Sequence, residues 1–404
     1  MDDIARDYLL LSLAIGELQE GIVDAYYGPP ELRQQAASRG AGAAELASEA
    51  DTLRGRVANE VDDDQRRRWL DRQLIALQTI ALTLSGEQLP YAEEVERCFD
   101  APPTPTSPAI FSEARRDLDE LLPGTGTIQE RLDARDARLT IPADRVGPIL
   151  EWTVAEIRGL CATVIPMPGG DSLELNLVTG QPWSAYNWYD GNLRSRVEFN
   201  TDLPTRAHAL PYTLAHETFP GHHLEHAWKE QRLVRDQDRA ECSIQLINTP
   251  EAYISEGLAE VGGRLLIDGP RWQSLLLAIA EQAGLPMTAE DADREWRTSA
   301  ALQALRGVGG DAALLLYADG RSRDDVKQFL VDDGLSTPAR AEKSLEFIEH
   351  PLWRTYVFCY AGGEQLLTEW CRAAGDETAQ RERFFRLLTE QLTPSGIAEE
   401  TAAA

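Results

Sequence analysis

Five of the six histidines of this chain, His208, His216, His222, His223 and His226, fall between residues 208 and 226. Neutral imidazole is a favoured zinc ligand, and a cluster this tight is the pattern a divalent metal imposes. His216-Glu217 begins like His-Glu-x-x-His, in which two histidines four apart on one helical face grip the ion and the glutamate acts as general base. Here the position four after His216 is Pro220, and the next histidines come six and seven residues on. A straight helix rises about 10.5 Å over seven residues, too far to share one ion, and the sixth residue is turned off the face. Two helical pieces with a break between them are therefore required. The break is present: Pro220 cannot donate to the carbonyl of His216, and Gly221 accepts backbone angles that other residues avoid. A two-residue bulge would bring His222 to the place of the usual second ligand, with His223 the alternative.

Around the cluster the hydrophobic pattern is that of helices. Ile4, Tyr8, Leu9, Leu11, Ala14, Ile15 and Leu18 recur at helical spacing until Tyr27-Gly28-Pro29-Pro30, and helical patterns continue over residues 30–98. The Pro-rich run from Phe99 to Pro108 predicts an extended connection, and helices follow over about 110–163. Leu173, Leu175 and Leu177 alternate with Glu174 and Asn176, and Ser195, Val197 and Phe199 with Arg196 and Glu198, which is strand periodicity. From Leu210 onward the pattern is helical again, broken at Asn248-Thr249-Pro250, Asp268-Gly269-Pro270 and His350-Pro351. The chain reads as mainly α, a single domain over 1–404 with a small sheet beside the histidines. Residues 1–100 are a candidate N-terminal subdomain, bounded near 101–108.

With 404 residues, 43% of them hydrophobic, the chain can bury a large core. Its net charge of −28 repels nucleic acid and anionic lipid, so neither is an expected partner, and the acidity reads as solubility. The five cysteines are widely spaced and never form Cys-x-x-Cys, which points to neither a disulfide framework nor a thiolate metal site. Met1-Asp2-Asp3 is acidic where a signal peptide is basic, and no apolar run approaches a membrane span. The expected location is the cytoplasm. No Gly-x-Ser-x-Gly elbow or phosphate loop is present.

The run His-Glu-Thr-Phe-Pro-Gly-His-His-Leu over 216–224 resembles the signature of a bacterial domain-of-unknown-function family, the one numbered 885. That resemblance implies a multi-helical fold similar to the thermostable metallocarboxypeptidases of the gluzincin clan, whose motif reads His-Glu-x-Gly-His. Aligned on Gly-His, this chain carries two extra residues, in keeping with the bulge. The resemblance further implies Zn2+ held by His216, His222 and a glutamate from a later helix, with one position open for water. Thr249-Pro250 opens a helix whose apolar face, Ile254, Leu258, Val261 and Leu265, runs to Asp268, while Glu256 and Glu260 share another face. The family's Glu-Gly-Trp-Ala-Leu-Tyr corresponds here to Glu256-Gly257-Leu258-Ala259-Glu260-Val261, matching at Glu, Gly and Ala only. Glu256 is the candidate third ligand and Glu260 a partner that holds a ligand from behind.

Such a site points to a peptidase, with Glu217 as general base and Tyr356 or Tyr360 as oxyanion donor, Tyr360 being preferred. Trp353, Tyr356, Tyr360, Leu367 and Trp370 also form a helical stripe of the kind that fills a core. Residues 194–200 are similar in placement to the edge strand on which gluzincins lay an extended peptide, which makes Arg196 and Asn200 candidate substrate-binding residues. Arg194, Arg196 and Arg206 could hold a free carboxylate, as carboxypeptidase action needs. His208 and His350 read as structural. Two other readings remain. His222-His223-Leu224-Glu225-His226 fits the inverted motif His-x-x-Glu-His, with His222 and His226 as ligands and Glu225 as base. A non-catalytic helical binding protein could instead keep a closed, structural metal set.

Overall fold

The computed structural model describes residues 1–181 and 183–404 and is mainly helical, with two small sheets. Helices begin where the sequence marks them. Asp2 caps the helix Asp3–Leu18 by accepting from the Ala5 N–H, and Asp63 caps Asp64–Leu84 by accepting from Arg66. Thr249 accepts from Ala252 and Pro250 occupies the first turn of Pro250–Leu266, the helix that carries Glu256 and Glu260. The Pro-rich connection adopts no regular structure over 102–107.

Strand β1 (Val23–Tyr26) pairs antiparallel with β5 (Ile244–Leu246). In the second sheet β2 (Ser172–Val178), β3 (Ala185–Gly191) and β4 (Arg194–Asn200) lie in the order β2-β4-β3. Strand β4, expected at the edge, is central: β2 runs parallel to it and β3 antiparallel. Strand β3 lies against the helix of His216, its Asn187 Nδ2 donating to the Glu217 carbonyl at 2.7 Å. The turn between β3 and β4 places Asn192 and Leu193 at φ of 56° and 58°. Glu230 stabilises it by accepting from both backbone N–H groups, at 3.1 and 3.2 Å.

Two large hydrophobic clusters meet at the Pro250–Leu266 helix. One joins the N-terminal helices (Leu9, Leu70, Phe99) to Tyr253, Leu345 and Cys359. The other joins Ile157, Phe199 and Leu214 to Ile254, Leu258, Trp370 and Phe384. Each such side chain contributes roughly 1.5–3 kcal/mol by leaving water. The helix bearing the acids is thus positioned by packing on both flanks. All five cysteines are buried and unpaired. Among the described residues no helix is long and apolar enough to cross a membrane.

Candidate metal centre

The histidine segment folds as the helix Leu210–Glu217, an interruption over 218–221, and the helix His222–Lys229. Across the interruption the Gly221 N–H bonds the Ala215 carbonyl at 3.0 Å and the Leu224 N–H bonds Thr218 at 3.2 Å. Both bonds reach back six residues where an α-helix reaches back four, so two extra residues are accommodated. Only glycine fits at 221, because a Cβ there would lie 1.9 Å from the His216 carbonyl oxygen. As a result His216 Nε2 and His222 Nε2 approach to 3.1 Å, their rings nearly perpendicular.

Glu256 closes the triangle. Its Oε2 is 3.4 Å from His216 Nε2 and its Oε1 3.8 Å from His222 Nε2. Two ligand atoms on one tetrahedral zinc, each bonded at the usual length, stand about 3.3 Å apart, so the three separations match a shared ion. Tyr356 donates to Glu256 Oε1 at 2.7 Å, while the buried Oε2 has no hydrogen-bond partner among the described residues. Glu256 and Tyr356 meet because the helices Pro250–Leu266 and Val357–Ala373 touch backbone to backbone. A Cβ on Gly257 would sit 2.5 Å from the Gly363 backbone.

The outward nitrogens are held from behind. His216 Nδ1 lies 3.4 Å from Glu260 Oε1, and Glu260 is paired in turn with Arg306. His222 Nδ1 lies 3.2 Å from Ser255 Oγ and 3.5 Å from Glu225 Oε2. Ser255 donates to the same carboxylate oxygen at 2.6 Å, and Lys229 Nζ donates to the other at 2.7 Å. Lys229 also pairs with Glu251, which accepts from Trp69 Nε1 at 2.9 Å. With acceptors behind both rings, the proton of a neutral imidazole belongs on each Nδ1, so that each Nε2 lone pair faces the triangle once a bound cation has displaced the second proton. Burial alone would keep His216 neutral, yet the Glu256 and Glu260 carboxylates hold its pKa well above the usual imidazole value. The pocket is built to hold positive charge.

Glu217 lies beside His216, half-buried. Burial raises its pKa; the neighbouring histidines oppose that shift, and Glu256 and Asp24 reinforce it. Tyr356 is committed to Glu256, and Tyr360 packs edge-on against it at 5.6 Å. Burial and the Glu256 charge push its hydroxyl pKa well above the usual value, so it stays a donor. The structure adds residues that the motif did not suggest. Asp24 on β1 is hydrogen-bonded by Tyr186 of β3, and its charge acts on Glu217. Lys229 carried a signal, being one of only three lysines and four residues after Glu225. Asp24 carried none.

Other expected residues stand elsewhere. His223 is fully buried with Nδ1 2.8 Å from Ser195 Oγ and Nε2 3.2 Å from Asp171, so both nitrogens are engaged away from the triangle. His226 stacks on His222 at 5.9 Å, and burial pushes its pKa down to about 3. His222, Glu225 and His226 do gather, but both Glu225 oxygens are held by Ser255 and Lys229. Arg196 is tied to Asp190 at 2.9 Å on the sheet face opposite buried Ser195 and Val197. Asn200 is buried and ties the chain to the Gln181 and Trp183 carbonyls at 2.8 and 2.9 Å. Arg196 stays half-exposed beside Asp190 and Asn200 is spent on backbone carbonyls, so neither side chain is engaged with the triangle. Arg194 is exposed, Arg206 pairs with Asp136 at 2.8 Å, and His350 accepts from the Leu352 N–H.

No family model and no curated protein matches the chain. Among solved structures, the fold is similar to "the putative lipoprotein from Colwellia psychrerythraea", with a TM-score of 0.53 and 14% identity over 91% of this chain and 69% of that one. A "putative lipoprotein of unknown function from Shewanella oneidensis" aligns with a TM-score of 0.49 and 12% identity, over 91% and 75%. At these identities the first similarity is one of fold alone.

Proposed function

We propose that the protein is a zinc-dependent hydrolase of peptide-like amide bonds with a gluzincin-like centre, in which His216, His222 and Glu256 hold the ion. The observation that carries this reading is the triangle of ligand atoms at 3.1, 3.4 and 3.8 Å, with a buried carboxylate oxygen that has no partner among the described residues. Nitrogen and carboxylate donors without thiolate are the set expected of catalytic zinc. Neither His223 nor His226 completes a closed set of four, which favours catalysis over a structural metal.

When bound, zinc supplies a Lewis acid and brings the pKa of a coordinated water near neutrality. Glu217 is the general base: its raised pKa suits a carboxylate that takes a proton and passes it to the leaving amine. Tyr360 donates to the carbonyl oxygen as charge develops there. Glu260 and Glu225 orient the two imidazoles, and Tyr356 orients Glu256. The test is metal content by mass spectrometry together with cleavage of a mixed peptide library. Stoichiometric zinc with chelator-sensitive cleavage supports the reading. Absence of bound metal after zinc loading would remove it.

A further inference from the structure

A cavity of about 500 Å³ is walled by the end of β4, the segment that follows it as far as Leu210, the helix Ile128–Arg138 that carries Arg135, and the turn that carries Arg306. In a chain of net charge −28, four arginines (Arg135, Arg206, Arg306, Arg340) line it with two aspartates; Asp136 lies 2.8 Å from Arg206 and 3.6 Å from Arg135, and Arg306 is paired with Glu260 and Glu364. Arg135 is only 4% exposed. Its Nε donates to Glu295 at 2.5 Å, its Nη1 lies 3.2 Å from His208 Nε2, and its Nη2 has no partner among the described residues. A guanidinium can only donate, so His208 Nε2 accepts and the neutral ring carries its proton on Nδ1. That Nδ1 is also buried without a partner among the described residues. Two residues lining the cavity therefore each hold a buried donor in need of an acceptor.

The cavity is also placed to serve the metal centre. Thr213 lines it and stands one turn before Glu217 on the same helical face, a rise of about 6 Å. Arg306 lines it and pairs with Glu260 behind His216. From Ala209, another lining residue, to Glu217 the helix rises about 12 Å, the span of three to four extended residues.

We propose that this cavity receives the free C-terminal carboxylate of an oligopeptide, bound by Arg135 and His208 with Arg206 and Arg340 completing the positive lining. The bond presented to Glu217 then lies three to four residues in from that terminus. The peptide nature of the ligand rests on the hydrolase reading; the anion site rests on the cavity itself.

The test is calorimetric titration of the full chain, metal-free and zinc-loaded, with a neutral hexapeptide as free acid and as C-terminal amide. The free acid is expected to bind at least about tenfold more tightly in both states, a bidentate charge-assisted contact being lost in the amide. Arg135 also neutralises buried Glu295, so Arg206→Gln and His208→Phe carry the mutational arm, with thermal unfolding to show an intact fold. Each should shrink the preference for the acid. Equal affinity for acid and amide, or binding of neither, overturns the proposal. A preference that persists in a protein without zinc or hydrolysis keeps the anion site and removes the hydrolase reading alone. Cleavage of acid and amide at equal rates does the reverse.

Discussion

His216 Nε2 and His222 Nε2 stand 3.1 Å apart although six residues separate them in sequence. An uninterrupted helix cannot do this. The contact depends on two backbone hydrogen bonds that reach back six residues and on a glycine whose hydrogen faces the His216 carbonyl. Gly221→Ala is therefore expected to abolish metal binding as fully as loss of a ligand, which zinc titration followed by mass spectrometry would show.

His216→Ala, His222→Ala and Glu256→Ala should each lose the zinc. His226→Ala should retain it, since His226 stacks on His222 and gathers with His222 and Glu225, apart from the set His216, His222 and Glu256. Loss of metal in His226→Ala, with retention in Glu256→Ala, would transfer the site to the inverted motif.

Glu217→Gln should keep the metal and lose roughly 10²–10⁴-fold in kcat, the usual contribution of a positioned general base. Unchanged peptide cleavage in this variant would exclude Glu217 as the base.

Lys229 is buried between Glu225 and Glu251. Lys229→Met leaves the buried Glu225 and the partly buried Glu251 without their cation, and unfolding free energy should fall by roughly 3–5 kcal/mol. Urea denaturation measures this, and a change below about 1 kcal/mol would show that the triad is solvated.

Asp171 adds a pH dependence. Burial alone would raise its pKa, but His223 and Arg158 bring it down from 3.8 to about 2. A depressed folded-state pKa contributes stability that is present above about pH 4 and lost as pH falls through about 2. In Asp171→Asn the change in urea midpoint between pH 4 and 2 should be shallower than in the wild type.

The helix Pro250–Leu266 and the break at Pro220-Gly221 were legible because each is written in adjacent residues: a cap, a first-turn proline, and a periodicity that fails at one place. Strands β2 and β4 were legible from alternation, yet β3 was not. Its Tyr186, Trp188 and Tyr189 put large amphipathic rings on both faces, so no polar face remains to be seen. Missing β3 is what made β4 look like an edge strand open to backbone pairing with a substrate. Asp24 was invisible for a different reason. It sits on a four-residue strand whose pairing partner, β5, is more than two hundred residues away. His223 and His222 could not be told apart by spacing; the distinction lies in Asp171 and Ser195, which reach His223 from other elements.

The relay from Trp69 through Glu251, Lys229 and Glu225 to His222 has a consequence for how this protein can be divided. Trp69 belongs to the helix Asp64–Leu84, and Asp24 to a still earlier strand. A fragment trimmed to the histidine helices and everything after them would keep His216, His222 and Glu256, yet it would leave Glu251 without its Trp69 support and the relay to His222 without its outer end. The amino-terminal quarter is part of the centre's scaffolding, and shortened versions made to isolate a minimal catalytic piece should begin before Asp24.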